Sequence, residues 1–363
     1  MAGTLIVIGA GDVAMKMVQG LLHQERLDRL VLTNIRTDRL RDHADMLASA
    51  HGIPIDLIEL DGCNHRDVTR VLRDANPDLV LQAASLFGPW AVIGSDHPVI
   101  RHLSASGIGI QLPNQLPVLT TVMRAIRDLG LTCPVANISA PDVTHPVLAT
   151  QDLAPTVGLG NVSMHLLRAR AAWRARQEAS GDAISDAPLL RLIGHHCHVY
   201  GVMQASYPDN PDESTRVFLG ENGERDDLLA YEGRPFPAGS IYNVITAIST
   251  LPVLSALLPD GPATRYSTPA PFGLPGGYPL HIEAGRIAFD LPPRVSEADA
   301  VAFNRAMGKI DGIEAIDADG TTHFTAAACA HAARVDPRLA EPINPNDLEE
   351  RTRLLLEVVQ SAS

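Results

Sequence analysis

The sequence lacks the features of a membrane protein, of a disulfide-stabilised protein and of a nucleic-acid-binding protein. No apolar run approaches the roughly 20 residues that a membrane-spanning helix needs. The net charge is −13 and no basic run stands out, which disfavours a nucleic-acid partner. Four widely spaced cysteines without a C-x-x-C pair indicate neither a disulfide framework nor a zinc ribbon. We therefore expect no membrane and no nucleic acid among the partners.

Aromatic residues are also scarce, at 4% of the chain, so the core is expected to be aliphatic. The 363 residues are 45% hydrophobic and 20% charged, which is the balance of a globular protein large enough for two domains. The chain begins almost directly with a core strand and leaves no room for a signal peptide. We therefore expect a cytoplasmic location.

The opening of the chain carries the most informative pattern. An apolar run over residues 5–8 predicts a buried strand, and residues 9–14 then fit G-x-G-x-x-G/A before a helical pattern. Gly9 permits the tight turn, Gly11 leaves room for a pyrophosphate, and free N–H groups at the helix start face its negative charge. The pattern predicts a dinucleotide site. The residues that we expect to contact the cofactor here are Gly9, Gly11, Asp12 and Val13.

The end of the second strand bears on which dinucleotide is bound. A carboxylate at this point commonly holds the ribose 2′-hydroxyl of NAD, but this chain has Asn34. Neutral Asn34 does not repel a 2′-phosphate, and Arg36 and Arg39 could pair with one through their bidentate forks. We therefore favour NADP over NAD. The alternative is that both arginines are solvated surface residues and that Asn34 binds a ribose.

Strands alternate with helices through the first half of the chain. Further strands are predicted over residues 54–60, 78–84, 108–112 and 134–137. This alternation predicts an α/β protein with a doubly wound parallel Rossmann sheet, over residues 1–150. Ligands bind at the carboxyl ends of the strands in such sheets. At those ends the sequence places Ala83, Ala84 and Asn137, which we expect to lie against the cofactor.

The second half, residues 151–363, is predicted to be an α+β domain with antiparallel strands, which serves substrate binding and oligomerisation. A strand is predicted over residues 189–202 and a hairpin over residues 280–291. The apolar helix predicted over residues 240–258 suggests a homo-oligomer, although it would equally suit a core.

The first half of the chain resembles the lactate/malate dehydrogenase family. The resemblance lies in the glycine turn and its distance from the strand end at Asn34, and in Gly158-Leu159-Gly160-Asn161 before a helix with arginines. Gly194-His195-His196-Cys197 resembles the family's "GEHG", whose histidine donates and accepts the proton. The resemblance implies an asparagine near the nicotinamide, an acid/base histidine and a helix arginine. It assigns these roles to Asn137, His196, and Arg168 or Arg170.

Three departures point away from a simple 2-hydroxy-acid dehydrogenase. The loop after Ala84 has no arginine to polarise a carbonyl, no aspartate stands where the family places the partner of its histidine, and His195 replaces the glutamate of "GEHG". Residues 83–88 also resemble saccharopine-reductase-like proteins, which share the cofactor domain but act on amino acids or imines. The resemblance thus bears more on fold and cofactor than on substrate.

The histidine cluster is the main candidate for chemistry, because hydride transfer to a carbonyl needs a proton donor beside the oxygen. In a strand, His196 and His198 would point to the same side. Asp142 could orient a substrate or a catalytic histidine, and Arg168 could bind a substrate carboxylate. The predicted catalytic residues are therefore His196, His198, Arg168 and Asp142, each with a structural alternative.

The same pair of histidines could instead hold Zn²⁺. A third ligand would have to come from Asp142, His145 or His165, and because nothing in the spacing demands this, we predict no metal. In the loop after Ala84, Phe87 and Trp90 could cover the nicotinamide or a substrate, or could pack beneath the loop.

The sequence predicts an NAD(P)-dependent oxidoreductase, with NADP favoured, that acts on a carbonyl, hydroxyl or imine of a small polar molecule. One alternative is an epimerase, lyase or hydrolase that uses a bound dinucleotide without net oxidation. Another is a non-catalytic dinucleotide-binding protein.

Overall fold

The computed structural model describes residues 3–93, 95–181, 187–237 and 239–362. A parallel sheet at its centre has the strands β1 (Gly3–Ile8), β2 (Leu27–Asn34), β3 (Ile55–Glu59), β4 (Leu79–Gln82), β5 (Val135–Asn137) and β6 (Val157–Gly158). Their order in the sheet is β3-β2-β1-β4-β5-β6, in which the direction of winding reverses between β1 and β4. This is the Rossmann order, and it confirms the predicted α/β fold.

Helices cover both faces of this sheet. In the first half they are α1 (Asp12–His23), α2 (Arg41–His51), α3 (His65–Ala75), α4 (Pro98–Ala105), α5 (Leu112–Leu129) and α6 (Pro141–Ala149). Successive side chains of a strand point to opposite faces. Accordingly, Leu5 and Val7 of β1 join the core that contains α1, whereas Ile6 and Ile8 join the core that contains α3 and α5.

The second half of the chain carries antiparallel strands, as predicted. Its helices are α7 (Val162–Ser180), α8 (Val199–Met203), α9 (Ile241–Leu257), α10 (Glu297–Gly308), α11 (Ala326–Ala332) and α12 (Glu349–Ser361). Its strands are β7 (Leu190–Ile193), β8 (Arg216–Leu219), β9 (Glu224–Arg225), β10 (Thr264–Pro269), β11 (Gly277–Glu283), β12 (Arg286–Phe289), β13 (Ile313–Ile316) and β14 (Thr322–Phe324). They form the sheets β7-β8-β9, β10-β11-β12 and β13-β14.

The two halves share their cores. Helix α9 packs against α1, and α12 packs against α5, so the second half covers both faces of the parallel sheet. Strand β6 lies beyond residue 150, inside the parallel sheet. The domain boundary itself stays a prediction. Within the described ranges, no helix combines the length and the apolarity needed to cross a bilayer.

One predicted strand is wrong and another extends too far. Residues 109–111 form a 3-10 turn that leads into α5, because Pro113 sits in the first turn of that helix, where its missing N–H costs nothing. The strand predicted over residues 189–202 ends at Ile193, and His196–His198 form a 3-10 turn. Ile193 and Arg216 are the last residues that pair between β7 and β8.

Candidate functional site

The turn between β1 and α1 has the shape of a phosphate cradle. Gly9 has a φ of +89°, and a Cβ atom there would lie 2.7 Å from the Cβ of Ala84, so glycine is required. At Gly11 a Cβ atom would meet nothing within 4 Å, so this backbone borders open space. The amide groups of residues 12–14 donate to no described residue. These unused donors at a helix start fit a bound diphosphate.

The end of β2 carries the amide of Asn34 in place of a carboxylate, and this amide offers a hydrogen-bond donor. The Oδ1 atom of Asn34 accepts a hydrogen bond of 2.9 Å from the amide of Ile35, which leaves the Nδ2 group of Asn34 unused. Arg36 and Arg39 are exposed, and neither forms a hydrogen bond or an ion pair with a described residue. Both guanidinium groups are thus available to an anionic ligand.

A cavity of about 260 Å³ lies along the carboxyl edge of the sheet, and we call it the edge cavity. Val13 at the start of α1 and Ala83 after β4 line one part of it, and His196 lines another. Trp90 also lines it and makes an edge-to-face contact with Tyr242, with 6.4 Å between ring centroids. Phe87, by contrast, packs against the core. Of the two aromatic residues in the loop, Trp90 is therefore the one at the site.

His196 is held by an aspartate that the sequence did not reveal. Its Nδ1 atom lies 3.0 Å from Oδ1 of Asp311, and Nδ1 of His195 lies 2.8 Å from the other oxygen of the same carboxylate. An ionised carboxylate only accepts hydrogen bonds, so both Nδ1 atoms carry protons. The Nε2 atom of His196 has no described partner, so it is the nitrogen that remains for a ligand.

The charges around His196 and Asp311 shift the pKa values of both groups. Burial by itself would lower the pKa of His196, but the charge and hydrogen bond of Asp311, together with the charge of Asp142, raise it to about 9. Burial would raise the pKa of Asp311, but the two histidines hold it below its usual range. His196 is therefore a protonated, hydrogen-bond-donating imidazolium at neutral pH.

Asp142 lies beside this pair without bonding to it. Its Oδ2 accepts a hydrogen bond of 2.9 Å from Asn161, a residue that lines the edge cavity. Its Oδ1 is buried and has no partner among the described residues. Burial, aided by the negative charge of Asp311, raises the pKa of Asp142 against the opposing charges of His195 and His196. Asp142 thus acts on His196 through charge and not through contact.

Three other predicted site residues do not line the edge cavity. His198 is buried and stacks on Phe303 at 6.0 Å. Arg168 donates a hydrogen bond of 2.6 Å to the carbonyl of Arg234. Asn137 is fully buried, and its amide is occupied by Ser139, Thr144 and His145.

The Zn²⁺ alternative depended on a strand that would place His196 and His198 on one side. These residues form a 3-10 turn, so that arrangement is absent. A different group of donor atoms, from His195, Cys197 and Asp311, lies within 4.8 Å of one another. The His195 nitrogen is hydrogen-bonded to Asp311, and burial raises the pKa of the Cys197 thiol. Two of these three donor atoms, from His195 and Asp311, are therefore already hydrogen-bonded to each other.

Comparisons with known proteins agree with the fold. No family model matches the chain, and no curated protein does. A 6-phospho-beta glucosidase from Thermotoga maritima, solved with NAD and glucose-6-phosphate, is 12% identical over 99% of each chain, with a TM-score of 0.53. A lactate dehydrogenase from a Medee basin deep-sea metagenome library is 12% identical over 85% of this chain and 96% of its own, with a TM-score of 0.50. Malate dehydrogenase from Plasmodium falciparum is 11% identical over 85% and 96%, with a TM-score of 0.49.

The chain has the Rossmann fold of the first two of these proteins. The predicted resemblance to lactate/malate dehydrogenase-like proteins is therefore confirmed at the level of the fold. At 12% identity this likeness describes architecture, and the roles of individual residues depend on the geometry of the site.

Proposed function

We propose that the chain is a nicotinamide-dinucleotide-dependent oxidoreductase that prefers NADP and transfers hydride to or from a carbonyl or hydroxyl group, or an imine or amine, of a small molecule. The observation that carries the proposal is the pairing of His196 with Asp311 in a cavity that is also lined by Val13, beside the glycine cradle. A proton donor and a cofactor cradle then serve one cavity, which is what carbonyl reduction needs.

Different residues of the chain bind the cofactor, donate the proton and position the proton donor. The free amides of residues 12–14 would hold the diphosphate of a nicotinamide dinucleotide, which would supply or accept the hydride. During reduction the Nε2–H of His196 donates a proton to the oxygen that gains negative charge. Asp311 fixes the imidazole through Nδ1 and stabilises its positive charge. Trp90 and Tyr242 contact each other and form part of the wall of the cavity.

Binding of the cofactor at the glycine cradle is tested by Gly11→Val. Its φ of −83° suits valine, and its Cβ would meet no protein atom, so we expect the variant to fold normally. The added methyl groups would occupy the place of the diphosphate, and we expect NADPH affinity to fall by about 100-fold, or about 2.8 kcal/mol. Titration of NADPH fluorescence and thermal unfolding measure the two effects. Unchanged affinity would move the cofactor away from this turn.

The preference for NADP is tested by the double variant Arg36→Gln/Arg39→Gln. Each guanidinium would lose a charge-assisted hydrogen bond to the 2′-phosphate, so NADPH affinity should fall by about 10- to 100-fold while NADH affinity stays the same. Arg73→Gln is the matched control, because Arg73 is also exposed but lies in the last turn of α3, at the opposite edge of the sheet. Equal losses for NADPH and NADH would argue against a 2′-phosphate site.

A second candidate is an enzyme that uses the dinucleotide without net oxidation. The fold likeness to a glucosidase solved with NAD favours it, since NAD-dependent glycoside hydrolases exist. Absorbance of the reduced nicotinamide separates the two candidates. A net change with a carbonyl compound supports the oxidoreductase, and product formation without such a change supports the second candidate.

A further inference from the structure

Among the described residues that line the edge cavity, His196 is the one charged group. None of its described lining residues is a lysine, arginine, aspartate or glutamate. The residues outside the described ranges include no lysine or arginine either. The one cation present, His196, is balanced by the carboxylate of Asp311 at 3.0 Å. Among the described lining residues, no side chain therefore carries an unbalanced positive charge that would neutralise a substrate carboxylate or phosphate.

The two arginines that the resemblance offered for binding a substrate carboxylate are engaged elsewhere. Arg168 donates to the carbonyl of Arg234, and the guanidinium of Arg170 lies over the ring of Tyr266 at 5.2 Å. Neither residue lines the edge cavity. The bidentate fork that would recognise a carboxylate is thus missing among the described residues of the site.

The cavity does offer a buried neutral amide that has no hydrogen-bond partner among the described residues. Gln115, on α5, is 6% exposed and lines the cavity, yet its amide forms no hydrogen bond with a described residue. Buried amides are normally hydrogen-bonded. Apolar side chains of Ile93 and Ile108 line the same cavity. The lining is therefore suited to a molecule that is mostly apolar and carries a neutral polar group.

We infer that the substrate is an uncharged carbonyl compound, or the corresponding alcohol, with a second neutral polar group that hydrogen-bonds to Gln115. This inference rests on the proposed function and names its substrate class. Bringing a carboxylate into the cavity would remove its hydration without supplying a cationic side chain to pair with it, whereas an ester, amide or hydroxyl group loses little. Gln115 can both donate and accept, so it suits a hydroxyl or an amide.

The test uses matched compounds that differ in charge: pyruvate, its methyl ester and its amide, each reduced with NADPH. We expect kcat/KM for the two neutral compounds to exceed that for pyruvate by at least about 100-fold, because an unpaired buried charge is strongly disfavoured. Pyruvate as the better substrate would overturn the inference while leaving the proposed function intact. If no compound of either kind oxidises NADPH, the proposed function fails and the inference with it.

The role of Gln115 is tested by Gln115→Met with hydroxyacetone and acetone. Methionine keeps the length of the side chain and removes its hydrogen bonds. We expect kcat/KM for hydroxyacetone to fall by about 10-fold or more while that for acetone is unchanged, since acetone has no second polar group. Thr121→Val, in the same helix but with its hydroxyl bonded to Pro117 outside the edge cavity, is the control. Equal loss with both ketones would place the amide against the cofactor and overturn its assignment to the substrate.

Discussion

Replacing His196 by glutamine is expected to lower kcat for carbonyl reduction by about 10²- to 10⁴-fold, the usual contribution of a positioned general acid. Glutamine can still reach into the edge cavity, but its amide cannot transfer a proton to a developing alkoxide. Affinity for NADPH should stay nearly the same, because the cradle at residues 9–14 does not involve His196. Steady-state kinetics and NADPH titration of the same preparation measure both quantities.

The rate of carbonyl reduction should also depend on pH in a defined direction. The pKa of His196 is raised to about 9, so the imidazolium that donates the proton is present below that pH and is lost above it. Reduction should therefore be independent of this group up to about pH 9 and then fall about tenfold per pH unit, and oxidation should show the opposite trend. In His196→Gln both trends should disappear.

A matched control is His281→Gln, because His281 is an exposed residue of β11 outside the edge cavity. It should retain the activity and the pH profile of the unaltered protein. If His196→Gln keeps its kcat within about threefold of that protein, His196 is a structural residue, and the proton must come from another group or from water.

The glycine turn and its two strands were predictable because the interactions that form them are local. The continuous burial of Leu5 to Ile8, the positive φ of Gly9 and the helical spacing of α1 are all encoded within a few residues of one another. The candidate acid/base His196 could be named because residues 194–197 resemble the "GEHG" segment of the lactate/malate dehydrogenase family. Its surroundings could not, since the turn that carries it was predicted as part of a strand.

Asp311 could not be predicted, and the reason is physical. It follows α10 and lies 115 residues from His196 along the chain, so no periodicity links the two. Asp311 is followed by Gly312, a pair that is typical of an exposed turn, yet Asp311 is 6% exposed. The dehydrogenase family places the aspartate partner of its histidine between Gly160 and Arg168, where this chain has Met164. Here the carboxylate comes from a different part of the fold.

Replacing Asp311 by asparagine is expected to reduce kcat at pH 7 by about 10³- to 10⁴-fold, as loss of the carboxylate does in other aspartate–histidine pairs. The carboxylate accepts from Nδ1 of both His195 and His196, at 2.8 and 3.0 Å. An asparagine has one accepting oxygen, so one of the histidines would face an NH₂ group instead. For His196 this favours a proton on Nε2 in the neutral form and removes the charge that holds its pKa near 9.

The same variant should also move the pH profile, and this separates a positioning role from a purely structural one. Without the carboxylate, burial lowers the pKa of His196, so the fall in reduction rate should begin well below pH 9. Asp317→Asn is the matched control, because it removes an aspartate that lies 2.7 Å from a different histidine, the exposed His323. We expect that control to leave kcat and the profile unchanged. A loss of activity in Asp311→Asn with the midpoint still near pH 9 would mean that Asp311 supports the fold and does not set the charge of His196.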